Sequence, residues 1–247
     1  MTDRVVVITG GGSGIGRAVA RQLTEAGERV AVFDKVVRAA DPWPSIELDV
    51  TDEAEVDAAF LEVRNELGIP QGLVAAAGID IGGPTHELPL ARWHSVLETN
   101  LTGAFLCCRA FIRGLLAAGM PGSAVLCSSP AARVGFAAGG GAAYAAAKGG
   151  VSALVTSLAV DYARHGIRVN AIVPGATETP LMWAAVPPGQ IDRMRTVVEH
   201  EVPLGRLATP EEPARAAVWL LSDAASYCTG MHLTCDGGTL AKASISV

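Results

Sequence analysis

Tyr144 and Lys148 stand four residues apart in a stretch, Ala142 to His165, whose apolar spacing predicts a helix, so their side chains project from one face and meet. A free phenol ionises near pH ~10 and is a poor base at neutral pH. The lysine ammonium and a second positive charge beside it would favour the phenolate, and a lowering of ~2–3 units corresponds to roughly 3–4 kcal/mol. A phenol tuned in this way can take the proton of an alcohol or return one to a carbonyl oxygen. Exposed helices produce the same pair by chance, so the pair acquires meaning from its company. That company is Ser128-Ser129, closing a predicted strand, and Asn100, inside the preceding long helical pattern.

The segment Thr9-Gly10-Gly11-Gly12-Ser13-Gly14-Ile15-Gly16 lies between a β-branched run, Arg4 to Thr9, and a helical pattern carried by Ile15, Ala18, Val19, Leu23 and Ala26 and stopped by Gly27. At such a junction a pyrophosphate can rest against free backbone N–H groups and the positive end of the helix dipole, and glycines let it approach. The glycines at 10, 14 and 16 follow a looser spacing than GxGxxG. Asp34 ends the next predicted strand, Arg29 to Phe33, where a carboxylate can accept hydrogen bonds from both ribose hydroxyls of an adenosine and repel a 2′-phosphate. The expected cofactor is therefore NAD, with NADP the lesser choice; Lys35 and Arg38 stand close enough to serve a phosphate. An oxidised nicotinamide would also be the second positive charge near Tyr144. Hydride transfer needs only an oriented ring, a polarised oxygen and a proton acceptor.

The elements that must position these groups alternate along the chain. After the first βαβ unit come a strand at Ser45 to Leu48, a helix at Glu53 to Leu67 capped by Thr51 or Asp52, and a strand at Gly72 to Ala76. Leu90 to Ala118 carries a long helical pattern, followed by strands at Ser123 to Cys127 and Ile167 to Val173 around the Tyr144 helix. Helices at Pro187 to His200 and Glu211 to Ser222 precede a last strand, Met231 to Thr234. Strands interleaved with helices predict an α/β fold: a single-domain, Rossmann-like, doubly wound parallel sheet of about seven strands with helices on both faces, spanning residues 1–247.

Composition narrows the function classes. The 247 residues are half hydrophobic, and the net charge of -6 comes from 19 basic and 25 acidic residues without long like-charge runs, so neither nucleic acid nor a membrane surface is an expected partner. Apolar runs such as Ala153 to Val160 are expected to fall short of a membrane span, and Met1 to Arg4 leads into a strand rather than a signal peptide. The five cysteines show no CxxC pair and read as buried thiols in a reducing, cytoplasmic compartment. His86, His94, His165, His200 and His232 share no ligand-like spacing, so no metal site is expected.

The ordered set of motifs resembles the short-chain dehydrogenase/reductase (SDR) family over nearly the whole chain. The matches are TGxxxGxG at Thr9 to Gly16, Asp49-Val50, Ala76-Ala77-Gly78, Asn100-Leu101, the serine pair, Tyr144-x-x-x-Lys148, Arg168-Val169-Asn170, Pro174-Gly175 with Thr179-Pro180, and Asp236-Gly237-Gly238. The resemblance implies an oxidoreductase that interconverts a secondary alcohol and a ketone, with Tyr144 as acid/base. Lys148 would lower its pKa and hold the nicotinamide ribose, Ser129 would hydrogen-bond the substrate oxygen, and Asn100 would support a helix bend and a bound water. Gly10, Gly12, Ser13, Gly14, Ile15 and Gly16 would receive the pyrophosphate and Asp34 the ribose. Asp49 and Val50 would face the adenine, Ala76, Ala77 and Gly78 would line the cofactor, and Pro174, Gly175, Thr177 and Thr179 would hold the nicotinamide. A homotetramer or homodimer is implied as well.

Three departures from the family pattern stand out. Ala75-Ala76-Ala77-Gly78 replaces NNAG, so backbone contacts must do the work of missing amides. The serine precedes Tyr144 by two residues more than is usual, with Gly139-Gly140-Gly141 as the expected insertion; were it elsewhere, Ser128 would be the catalytic serine. Asp34 to Asp49 is too short for the usual helix, and Pro42 and Pro44 oppose one. A similarly short connection occurs in dihydrodihydroxybenzoate dehydrogenases, which makes a dihydrodiol dehydrogenase the alternative. A rival of another class is a catalytically silent dinucleotide-binding sensor or assembly subunit, which has no chemical need for Ser129, Tyr144, Lys148 and Asn100 together.

Overall fold

The computed structural model describes residues 4–37, 40–136, 139–184, 186 and 188–242. Seven strands join one sheet: β1 (Val5–Thr9), β2 (Arg29–Asp34), β3 (Ser45–Glu47), β4 (Pro70–Ala75), β5 (Gly122–Cys127), β6 (Ile167–Pro174) and β7 (His232–Cys235). Their order is β3-β2-β1-β4-β5-β6-β7, every neighbouring pair is parallel, and the doubly wound sheet expected from the alternation is the one observed. Parallel strands need helical crossovers, and these cover both faces. The helices are α1 (Gly14–Glu25), α2 (Glu53–Glu66), α3 (Leu90–Leu97), α4 (Gly103–Ala118), α5 (Ala142–Tyr162), α6 (Pro180–Trp183), α7 (Ile191–Glu201) and α8 (Glu211–Leu221).

Strand β1 shows why its run of Val and Ile is continuous. Val5 and Val7 pack into one core with α2, α4 and α5, while Val6 and Ile8 pack into the other with α1 and α8. Both faces are dry, so polar alternation is excluded. The strand order reverses between β1 and β4, which leaves a crevice at their carboxyl ends.

Several boundaries differ from the sequence pattern. The long helical pattern from Leu90 to Ala118 is interrupted by a π-helical turn, Glu98–Thr102, that carries Asn100. The expected helix at 187–200 begins instead with a 3-10 turn, Pro188–Gln190, and continues as α7; Pro187 lies outside the described residues. The pattern missed α6, whose Thr179 cap and Pro180 first position are a helix-start signal. The short β2 to β3 connection contains no helix among its described residues. It is fastened from the other side: Arg17 donates to Asp41 at 2.8 Å and stacks on Trp43, which is buried against the α1 and α8 core.

One expectation about apolar runs is corrected. Leu90–Ala118 and Ala142–His165 are each long and apolar enough to cross a membrane by length and composition alone. In the fold they lie against the sheet, with half of the first and a third of the second buried, because one side of each contributes to the core.

Candidate active site

The floor of the crevice is backbone. The Thr9 carbonyl accepts the Ala76 N–H at 3.2 Å and its hydroxyl accepts the Ala77 N–H at 3.3 Å, so the exits of β1 and β4 are tied without the amide side chains that Ala75 and Ala76 lack. Gly10 has φ +69, and a Cβ there would lie 2.6 Å from the Ala77 nitrogen; neither the conformation nor the space admits a side chain. On the other flank the Gly12 N–H donates to Asp34 Oδ2 at 2.9 Å and the Val36 N–H to Oδ1 at 3.0 Å, which fixes the carboxylate beside the turn. Ser13 caps α1 without a side-chain hydrogen bond, leaving the helix N-terminus with Ile15 and Gly16 open to an anionic group. The Thr179 methyl sits 3.1 Å from where a Gly14 Cβ would be, so the segment from Pro174 to Thr179 arches over the glycine turn. Within that arch Thr177 donates to the Gly175 carbonyl at 3.0 Å, and Thr179 accepts the Met182 N–H at 3.2 Å as the cap of α6.

These residues fit a dinucleotide: a cradle that any Cβ would fill, an open helix terminus and a carboxylate at the end of β2. Beside it, Asp49 forms an ion pair with Lys35 at 2.6 Å. Burial alone would raise the Asp49 carboxyl, but the Lys35 ammonium and the Thr51 N–H outweigh it and hold the group below its ordinary value. Lys35 is thereby engaged, and Arg38 lies outside the described residues. Val50 is buried under α4, where a Cβ on Gly103 would strike it at 2.7 Å.

Tyr144 and Lys148 rise from the first two turns of α5. Lys148 is 4% exposed; its ammonium donates to the Cys127 carbonyl at 2.7 Å and lies 5.5 Å from the centre of the Tyr144 ring. The two serines at the end of β5 point to different partners. Ser128 donates to the Lys148 carbonyl at 3.3 Å and sits 2.8 Å from the Ser152 hydroxyl. The Ser129 hydroxyl accepts the Ala131 N–H at 3.2 Å and lies near enough to the Tyr144 phenol to favour its ionised form. Asn100, brought inward by the π-helical turn, donates to the Ile79 carbonyl at 2.8 Å and the Val96 carbonyl at 2.9 Å. Its Oδ1 is buried without a hydrogen-bond partner among the described residues, and a Cβ on Gly78 would strike it at 2.6 Å. An unpaired acceptor there is a seat for an ordered water.

The electrostatics of the chain alone run against the lowered phenol expected from the Tyr144-Lys148 spacing. Burial pushes the Tyr144 phenol above its ordinary value, the Cys127 thiol and the Asp80 carboxylate add to the rise, and the nearby Ser129 hydroxyl opposes it. Burial also depresses the Lys148 ammonium, whose hydrogen bond goes to a carbonyl rather than to the phenol. The motifs read from the sequence gave Asp80 no role. The signal was a lone carboxylate between Ile79 and Ile81, both of which pack with Val96, Ala143 and Ala147. On the opposite side, Glu178 receives Arg195 at 2.9 Å and the Trp183 indole N–H at 2.7 Å, clasping α7 to α6.

A family model described as "Enoyl-(Acyl carrier protein) reductase" matches residues 10–239. A curated relative, cis-4-hydroxycyclohexanecarboxylate dehydrogenase of Sinomonas cyclohexanicum, is 43% identical over 249 residues, covering 96% of each chain. A 2,5-dichloro-2,5-cyclohexadiene-1,4-diol dehydrogenase of Sphingobium indicum is 38% identical, covering 96% of this chain and 97% of its own. Among solved structures, ligand-free aldohexose dehydrogenase of Thermoplasma acidophilum superposes with a TM-score of 0.92 at 31% identity, covering 99% of this chain and 97% of that one. Levodione reductase superposes with a TM-score of 0.91 at 33% identity, covering 98% of this chain and all of that one. The chain belongs to the short-chain dehydrogenase/reductase family, whose members bind a nicotinamide dinucleotide.

Proposed function

We propose that the protein is an NAD-dependent dehydrogenase that interconverts a small carbocyclic secondary alcohol and its ketone. The observation that carries the reading is the junction of Ser129, Tyr144 and Lys148 beside the glycine turn. A bound nicotinamide dinucleotide supplies the hydride acceptor and, in its oxidised form, a positive charge that offsets the desolvation of the Tyr144 phenol. Tyr144 accepts the hydroxyl proton in oxidation and returns it in reduction. Ser129 donates a hydrogen bond to the reacting oxygen, while Lys148, anchored on the Cys127 carbonyl, holds the nicotinamide ribose and the local positive charge. Asn100 seats the water through which the proton leaves. Gly10 to Gly16 and the N-terminus of α1 hold the pyrophosphate, Asp34 the adenosine ribose, Asp49 and Val50 the adenine side, Ala76 to Gly78 the floor, and Pro174 to Thr179 the nicotinamide.

The ring alcohols named for two relatives support the substrate class. Asp34 supports NAD over NADP, since its carboxylate is held by backbone N–H groups at the place a 2′-phosphate would need. We place the protein in the cytoplasm with its five free thiols reduced, and assembled as a homotetramer or homodimer; the exposed apolar edge of α4 at Phe105 supports the latter. Turnover of cyclic alcohols and ketones with NAD(H) and NADP(H), compared with Tyr144→Phe, tests the reading. A loss of at least a thousandfold in the variant is expected, and undiminished turnover would refute the role of Tyr144.

A further inference from the structure

We propose that Asp80 accepts a hydrogen bond from a second hydroxyl of the substrate, so that the site selects ring alcohols bearing two hydroxyls over those bearing one. The proposal rests on the dehydrogenase reading above and names the feature of the substrate that this chain recognises.

Asp80 Oδ1 is buried and has no hydrogen-bond partner among the described residues. Its neighbours Ile79 and Ile81 pack, together with Tyr144, on the small core of Val96, Ala143 and Ala147, so the segment that carries Asp80 lies beside Tyr144. The charge of the Asp80 carboxylate is accordingly felt at the Tyr144 phenol. Burial raises the Asp80 carboxyl, with no cation or hydrogen bond opposing it. A bare acceptor of this kind costs free energy in the free protein, and sites keep such atoms where a ligand completes them. None of the described residues donates to Oδ1: the Lys148 ammonium bonds the Cys127 carbonyl and the Gly83 N–H the Gly140 carbonyl. The missing donor therefore arrives with the substrate.

The reacting oxygen is held by Tyr144 and Ser129, so Asp80 reads a different substituent. A carboxylate there would be repelled. An ammonium would complete the acceptor but would have to shed its water beside Ile79 and Ile81, a heavier desolvation than that of a neutral hydroxyl. A hydroxyl matches both the charge and the apolar surroundings. Sites built to bond a substrate hydroxyl discriminate strongly against analogues that lack it.

The test measures kcat, KM and kcat/KM with NAD for cyclohexanol, for the 1,2-, 1,3- and 1,4-cyclohexanediols and for 2-aminocyclohexanol, in the wild type, Asp80→Asn and Asp80→Ala. In the wild type the best diol is expected to exceed cyclohexanol by about tenfold or more in kcat/KM, mostly through KM. That ratio should fall to within about threefold of unity in Asp80→Ala and remain intermediate in Asp80→Asn, which keeps an acceptor. Reading the ratio within each variant cancels any general effect on Tyr144 or on folding. A diol advantage that survives in Asp80→Ala, or a wild-type preference for the amino alcohol over every diol, overturns the proposal. Turnover of cyclohexanol with no diol advantage removes the proposal alone, whereas no turnover of any alcohol removes the dehydrogenase reading and this proposal with it.

Discussion

Replacing Ser128 and Ser129 by alanine, one at a time, should separate stability from catalysis at adjacent positions. Ser128 is 2% exposed, and its hydroxyl bridges the Lys148 carbonyl at 3.3 Å and Ser152 at 2.8 Å. Removing it deletes two buried hydrogen bonds and strands the Ser152 hydroxyl, at a cost of about 1–3 kcal/mol. For a chain of this length each kcal/mol lowers the melting temperature by about 2–4 °C, so a fall of roughly 2–12 °C is expected. Turnover of Ser128→Ala should stay within about threefold of wild type. Among the described residues the Ser129 side chain makes one hydrogen bond, from the Ala131 N–H, so its loss should move the melting temperature little. Losing the donor to the reacting oxygen should instead lower kcat by about 10²–10³. Thermal unfolding and steady-state kinetics on the same two proteins decide the matter. The opposite pattern, with Ser128→Ala inactive and Ser129→Ala active, would refute the assignment and make the glycine-rich insertion irrelevant to the serine register.

Asp34→Ala removes both the carboxylate that would repel a 2′-phosphate and the acceptor of two backbone N–H groups, so kcat/KM with NAD should fall and the NAD/NADP ratio should shift toward NADP by at least tenfold; a wild-type preference for NADP would contradict the argument from the ribose hydroxyls. Arg195→Ala opens the clasp of α7 on Glu178, and KM for the alcohol should rise several-fold with kcat changed less. Because Arg195 holds the Glu178 carboxyl below its ordinary value, the clasp is complete above the usual carboxylate range and is lost only as pH falls through the depressed value. A KM that is flat in acid down to that point in the wild type, and already raised at neutral pH in the variant, is the expected profile.

The fold could be read from the chain because its strands are unambiguous. The Val5 to Thr9 run is apolar on both faces, and only a covered parallel sheet accommodates such a strand. The glycine turn, Asp34 and the Tyr144-Lys148 pair could likewise be placed on their elements, since each depends on local spacing. What escaped depends on tertiary surroundings. Nothing in the text of the chain says that Lys148 spends its charge on a carbonyl, that Lys35 pairs with Asp49, or that the phenol is desolvated. The π-helical turn at Asn100 has no periodic signature, because one extra residue in a long apolar helix leaves its pattern readable as unbroken. Pro188-Gly189 did carry a signal against a continuous helix at 187–200, and Asp80 between two isoleucines carried one for a carboxylate held in apolar surroundings.

The glycine contacts divide the site into two parts with different mutational futures. A Cβ at Gly10 or Gly16 would fall within 2.4–2.6 Å of backbone atoms, and one at Gly12 or Gly78 would meet a carboxylate, a carbonyl or a carboxamide oxygen within 2.9 Å. Gly135, Gly141 and Gly189 meet no described atom beyond their chain neighbours within 4 Å of that position, while Gly82 and Gly140 meet backbone at 3.2 Å. Random substitution would therefore be purged from the glycine turn and retained at these open positions. A library confined to the open positions should yield folded, cofactor-binding variants with altered preferences, and lineages descended from such a chain can change what they oxidise while the hydride chemistry stays where it is.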